Sequence, residues 1–140
     1  MLLLVVAGCG GGSGGGRLSK HEFIKRGDAI CRKYNRQANK IAQSLGNSLR
    51  DIADAINKVI PIARKEWTEL KTLKPPAEDQ TTFDAWIAAG LKQIDEGKKL
   101  HDAAVRRDFA GFQAHFATIR ASQNDLHRRA RGMGLRVCGT

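Results

Sequence analysis

The sequence has few of the residues and motifs that carry chemistry in proteins. It has 140 residues, of which only three are cysteines, two are methionines, three are prolines and 6% are aromatic. It contains no Glu-x-x-His pair, no His-Glu-x-x-His motif and no phosphate-binding loop, and its cysteines lack the spacing of a zinc site. We therefore expect no enzyme activity, no catalytic residue, no metal site and no cofactor.

The chain has no long apolar run, and its strongest apolar stretch is a short one at the start. Residues 2–8 are too short to span a bilayer but fit the apolar region of a signal peptide. Residues 6–9 (Val-Ala-Gly-Cys) resemble the lipobox of bacterial lipoproteins, whose cysteine receives a diacylglycerol thioether and becomes the mature N-terminus. We expect residues 1–8 to be a signal peptide, truncated because no Lys or Arg precedes Leu2, and Cys9 to be lipidated. The alternative is that Cys9 is an ordinary free thiol.

A glycine-rich stretch separates Cys9 from the rest of the chain. Residues 10–16 are six glycines and Ser13, which predict a flexible tether with a span of roughly 15 Å. Residues 9–18 would then form the lipidated cysteine and its tether, and residues 19–140 a single folded domain. This organisation predicts an exported protein, held by lipid at the outer face of the cytoplasmic membrane.

The domain shows helical periodicity and no strand alternation. Ser19 and Ser48 begin two helices, each followed three residues later by an acidic residue, and Asp108 caps another. Pro61 predicts a kink within the second helix. The predicted helices cover residues 19–46, 48–73, about 78–106 and 108–132. Their similar lengths and short turns predict an all-α, up-down-up-down four-helix bundle.

Apolar residues of the fourth helix recur at alternating intervals of three and four. This 3.5-residue period is typical of a bundle seam, so we expect these side chains to pack in the core. They are Phe109, Phe112, Phe116, Ile119, Leu126 and Ala130, and the polar Gln123 occupies the remaining position of the series.

Two histidines and two pairs of acids in the helices are expected to be structural. His101 and His115 neighbour apolar residues and should border the core. The acids of the Glu66/Glu69 and Asp95/Glu96 pairs lie near lysines in the sequence, so we expect solvated ion pairs on exposed faces.

Two cysteines lie within the domain, Cys31 in the first helix and Cys138 near the end of the chain. In an up-down-up-down bundle the fourth helix ends beside the start of the first, so the two residues can meet. An exported domain with two such cysteines is expected to form one disulfide. The alternative is two free thiols.

Several stretches are similar to small helical lipoproteins common in high-GC Gram-positive bacteria and their relatives. They are residues 23–24 and 28–31 (Phe-Ile and Asp-Ala-Ile-Cys), 70–77 (Leu-Lys-Thr-Leu-Lys-Pro-Pro-Ala), 83 with 86–87, and 134–139 (Gly-Leu-Arg-Val-Cys-Gly). The resemblance implies export, lipidation at Cys9 and a Cys31–Cys138 bridge. The family has no assigned activity, so the resemblance implies no catalytic residue.

The net charge of +10 is concentrated in two segments. Residues 17–40 and 120–140 carry the whole excess, while residues 41–119 are neutral, and the bundle topology brings both basic segments to the tethered end. We expect a basic patch that faces anionic headgroups or wall polymers. The alternative is a solvated face whose arginines complement the dipole of the fourth helix. The patch residues are Lys25, Arg26, Arg32, Lys33, Arg36, Arg128, Arg129, Arg131 and Arg136.

Two functions are compatible with these features. The first is a monomeric, non-enzymatic envelope component that docks through its basic end onto anionic lipid, a wall polymer or an envelope protein, without nucleic acid. The alternative is a small-molecule or haem carrier with a pocket near Pro61, lined by Trp67, Trp86 and His101. A crevice there with a histidine inside would favour the carrier, whereas a filled core with every histidine outside would exclude it.

Overall fold

The computed structural model describes residues 16–140, which form four α-helices. The helices are α1 (Lys20–Gln43), α2 (Leu49–Leu70), α3 (Gln80–Val105) and α4 (Phe109–Gly132), with a 3₁₀ turn at Ala77–Asp79 before α3. This confirms the predicted all-α, four-helix fold. The signal peptide, Cys9 and nearly all of the tether lie outside the described residues.

The helices begin where the capping residues predict. The Ser19 and Ser48 hydroxyls accept the backbone N–H groups of Glu22 and Asp51, at 3.2 and 3.1 Å. Asp108 Oδ1 accepts the Gly111 N–H at 2.9 Å. Each cap satisfies a donor that the first helical turn leaves without a partner.

The second helix differs from its prediction at its C-terminal end. It runs without interruption through Pro61, but it ends at Leu70 rather than at residue 73. The N–H groups of Thr72 and Leu73 bond three residues back instead of four. Pro75 prevents the helix from continuing past this turn, because a proline disfavours helical geometry in the residue before it.

The helices pack in chain order, each against the next. No Cα atom of α1 comes within 8 Å of one in α4, so the bundle is open along that side. We call the end where α1 begins and α4 finishes the closed end, and the opposite one the open end. At the closed end the chain after α4 crosses back to α1, where Leu135 packs on Gly27.

The closed end holds the densest part of the core. Phe23 of α1 meets Phe83 of α3 edge to face, with ring centroids 5.7 Å apart. Trp67 and Trp86 form a second edge-to-face pair at 4.9 Å. The largest fully buried side chains all lie at this end: Trp86, Phe23, Leu70, Met133, Leu135 and Pro75.

The prediction of a continuous core seam along α4 was wrong for its first half. Phe109 and Phe116 are 65% and 45% exposed. Phe116 stacks on Phe112 of its own helix, with ring centroids 6.2 Å apart. Leu126 and Ala130, closer to the closed end, are buried as expected.

Candidate functional site

A groove of about 470 Å³ lies within the open bundle, lined by residues of all four helices. This volume falls in the range of small-molecule binding sites. Residues on both sides of Pro61 contribute to it, namely Ile60 and Ala63. Most of its lining is apolar, including Ile41, Ile52, Ile56, Val59, Leu100 and Ile119.

Two glycines of α3 shape the groove differently. At Gly90 the indole of Trp67 fills the space that a Cβ atom would need, so the two helices approach closely there. At Gly97, two turns further on, a Cβ atom would meet only Ile60, at 3.8 Å. The groove is therefore bounded by tight packing near Trp67 and has free space near Gly97.

Glu66 is an acidic residue in this apolar lining. It is half-buried and has no hydrogen-bond or ion-pair partner among residues 16–140. Burial disfavours its charged form and raises the pKa of its carboxyl group from 4.5 to about 7. The expectation of a solvated ion pair was wrong for this residue, because its helix turns it toward the groove.

Glu69, one turn further along α2, differs from Glu66 because it has hydrogen-bond partners. Its Oε2 atom accepts hydrogen bonds from Lys33 Nζ at 2.5 Å and from Tyr34 Oη at 2.7 Å, both on α1. These bonds lower the pKa of the Glu69 carboxyl group. Glu69 does not line the groove and joins α1 to α2 instead.

Other polar side chains also line the groove, among them Trp86, Gln93 and His127. Trp86 Nε1 is buried and has no acceptor within the part of the chain that the structure describes. Gln93 Nε2 donates to the Ile119 carbonyl oxygen at 3.3 Å, across the α3–α4 contact. Burial, together with the charge of Arg131, lowers the pKa of His127, so this imidazole is neutral at pH 7.

The structure brings together two of the three residues predicted to line a pocket. Trp67 and Trp86 line the groove, whereas His101 lies outside it, with its Nδ1 3.0 Å from Asp102 Oδ1. Sequence reasoning missed Glu66 and His127. Glu66 follows Val59 and Ala63 at helical spacing, so its place on the apolar stripe of α2 was a usable signal.

The closed end of the groove carries the disulfide. Cys31 and Cys138 are bonded, with their Cα atoms 5.3 Å apart, which confirms the predicted bridge. The carboxylate of Asp28 holds the same tail, since it accepts the N–H groups of Arg136 and Val137 at 3.2 and 2.9 Å. The C-terminal segment is thus fixed to α1.

The predicted basic patch is partly neutralised by acids on its own helices. Glu22 pairs with Lys25 and Arg26, and Asp125 pairs with Arg128 and Arg129. Lys33 pairs with Glu69, and Arg131 donates to the Gly139 carbonyl oxygen at 2.5 Å. In the described part of the chain, three patch side chains make neither an ion pair nor a hydrogen bond: Arg32, Arg36 and Arg136.

Neither a metal site nor a membrane-spanning helix is found among residues 16–140. These residues include no group of three His, Cys, Asp or Glu side chains placed to hold a metal ion. None of their helices is both long and apolar enough to cross a membrane. His115, expected at the core border, is half-buried with its Nδ1 3.1 Å from Glu96 Oε2.

No family model, no curated protein and no solved structure matches the chain.

Proposed function

We propose that this protein is a lipid-anchored, non-enzymatic carrier of the cell envelope that binds a small apolar molecule in the groove. The groove itself is the observation that carries the proposal. It lies next to Pro61, it has a ligand-sized volume, and it includes the imidazole of His127. A carrier therefore agrees better with the geometry than a protein that acts through its basic surface alone.

The apolar lining predicts how affinity depends on the ligand. Each methylene group buried in the groove contributes about 0.8 kcal/mol, which corresponds to a factor of about four in affinity. Binding of n-alcohols should therefore strengthen steadily from octanol to dodecanol. The two tryptophans of the chain both line the groove, so their fluorescence reports binding directly.

The test uses the full chain with Cys9→Ser, which cannot be lipidated. Gly97→Leu places a side chain in the free space of the groove and should weaken alcohol binding. Gly132→Leu is the matched control, because a Cβ atom at Gly132 has no neighbour within 4 Å. If affinity were independent of chain length, or if both variants bound like the parent, the carrier proposal would be wrong.

The anchor and the basic patch complete the proposal by orienting the domain. Leu18 N–H donates to the Lys74 carbonyl oxygen at 2.8 Å, and Arg17 donates to the Pro75 carbonyl oxygen at 3.1 Å. These bonds support a tether that enters at the closed end, beside the basic residues of α1. We propose that Cys9 carries the lipid and that this end faces an anionic surface.

Mass spectrometry of the protein purified from its own envelope tests the anchor. We expect a diacylglycerol mass on a chain that begins at Cys9 and lacks two hydrogens for the disulfide. A co-purifying small molecule would identify the ligand. An unmodified chain that retains residues 1–8 would contradict both export and lipidation.

Vesicle binding tests the orientation. The Cys9→Ser chain should bind anionic vesicles and lose that binding as salt rises, because surface charges are screened within a Debye length of about 8 Å at physiological salt. Arg128→Gln with Arg136→Gln, which removes two charges at the closed end, should weaken binding. The control, Arg106→Gln with Arg107→Gln, removes the same charge from the open end and should have little effect. Equal binding to neutral vesicles would rule out the electrostatic contribution.

A further inference from the structure

We propose that Glu66 recognises a positively charged amine, so that the ligand of the groove is an amphiphile with an apolar chain and an ammonium head. This inference rests on the proposed function of the groove and names the chemical class of its ligand.

Glu66 differs from the other acids that are at least partly buried in the described residues. Each of those acids has a partner in the protein: Glu22, Asp28, Glu69, Asp79, Glu96 and Asp125. Glu66 has none, although the chain carries 24 Lys and Arg residues. A free carboxyl group is therefore presented to the groove without a basic side chain to neutralise it.

Placing an unpaired carboxylate among apolar side chains is unfavourable. A ligand ammonium group removes that cost, because it supplies the missing charge and donates charge-assisted hydrogen bonds. A carboxylate ligand would meet repulsion at the same point, and a neutral hydroxyl group would gain less. The carboxyl group of Glu66 thus favours a cation.

The pH dependence of binding follows from the same carboxyl group. Burial raises the pKa of Glu66 to about 7, so an arriving ammonium ion must displace its proton in mildly acidic solution. The affinity for the amine should therefore fall between pH 8 and pH 5.5. His127, on α4, also lines the groove; burial and the charge of Arg131 lower its pKa, and its protonation in acid would add repulsion.

The experiment compares three ligands with the same twelve-carbon chain: dodecylamine, dodecanol and dodecanoate. They are titrated into the full chain with Cys9→Ser at pH 8, followed by tryptophan fluorescence and calorimetry. We expect dodecylamine to bind at least about tenfold more tightly than dodecanol, the size of one hydrogen bond to a charged group. Dodecanoate should bind most weakly.

Three variants test whether the Glu66 carboxyl group itself causes the preference for the amine. Glu66→Gln should abolish the preference for the amine and flatten its pH dependence, while dodecanol binding remains. Glu69→Gln, which removes a carboxylate from the same helix outside the groove, should keep the preference. His127→Gln should keep most of the pH dependence.

The outcomes distinguish this inference from the function on which it rests. If dodecanol binds as tightly as the amine, or if Glu66→Gln keeps the preference, the amine assignment is overturned and the groove remains a binding site. If none of the three ligands binds, the carrier function itself fails.

Discussion

Replacing Glu66 by Gln should make the folded protein more stable at neutral and alkaline pH. Folding raises the pKa of this carboxyl group from 4.5 to about 7, so the folded state retains a proton that the unfolded state releases. Stability therefore falls as pH rises through this window and is unaffected below it. At 1.36 kcal/mol per pKa unit, the cost above pH 7 is roughly 2 to 3 kcal/mol, allowing for partial solvent screening.

The assay is urea unfolding of the parent and of Glu66→Gln between pH 4 and pH 8, followed by far-UV circular dichroism. The difference between the two proteins isolates Glu66, because all other groups titrate alike in both. We expect a difference near zero at pH 4 that grows to roughly 2 to 3 kcal/mol in favour of the variant at pH 8.

Glu69→Gln is a control for which we expect the opposite effect on stability at neutral pH. Bonds to Lys33 and Tyr34 lower the pKa of Glu69, so its contribution to stability is present at neutral pH and is lost on acidification. This variant should be less stable than the parent at pH 8 and equal to it in acid. A Glu66→Gln protein no more stable than the parent at pH 8, or a difference independent of pH, would refute the assignment of Glu66 as an unpaired, desolvated acid.

Two further changes test how the bundle is held together. Replacing Cys31 and Cys138 by Ser opens a link between residues 107 apart in sequence and should lower the free energy of unfolding by about 4 to 5 kcal/mol in urea titrations; a loss below about 1 kcal/mol would show that the tail is held by other contacts. Gly90→Ala should cost about 1 to 3 kcal/mol because its methyl group would overlap the indole of Trp67, whereas Gly97→Ala should be neutral or slightly stabilising in thermal melts. Equal melting temperatures for the two alanine variants would contradict the packing described at Gly90.

Local signals in the sequence predicted the helices and the disulfide well. Ser19, Ser48 and Asp108 cap helices where the pattern placed them, because a cap depends on residues only two or three positions apart. The Cys31–Cys138 bridge was expected because alternating helix directions bring the end of the chain back to α1 and an exported domain with two cysteines is expected to pair them.

The groove could not be predicted in the same way. Helical spacing shows which face of a helix is apolar, but not whether two such faces come into contact. In α4 the same periodicity covers Leu126, which is buried, and Phe116, which is 45% exposed. The separation of α1 from α4 is a property of the whole bundle. It determines whether these residues are buried in the core or exposed at an opening.

Stability is concentrated at one end of this molecule. The disulfide, the Asp28 clamp on the C-terminal tail and the 2.6 Å Lys20–Asp79 ion pair all lie at the closed end. The open end instead has Phe109 in solvent and Leu45, a groove-lining residue, 48% exposed. Leu45 and the unpaired Glu66 both line the groove, and each contributes less stability than a buried or paired side chain would. Under the proposed carrier function these features serve binding, because an unpaired polar group and exposed apolar surface are what a ligand can satisfy. The disulfide and the other contacts at the closed end offset this loss.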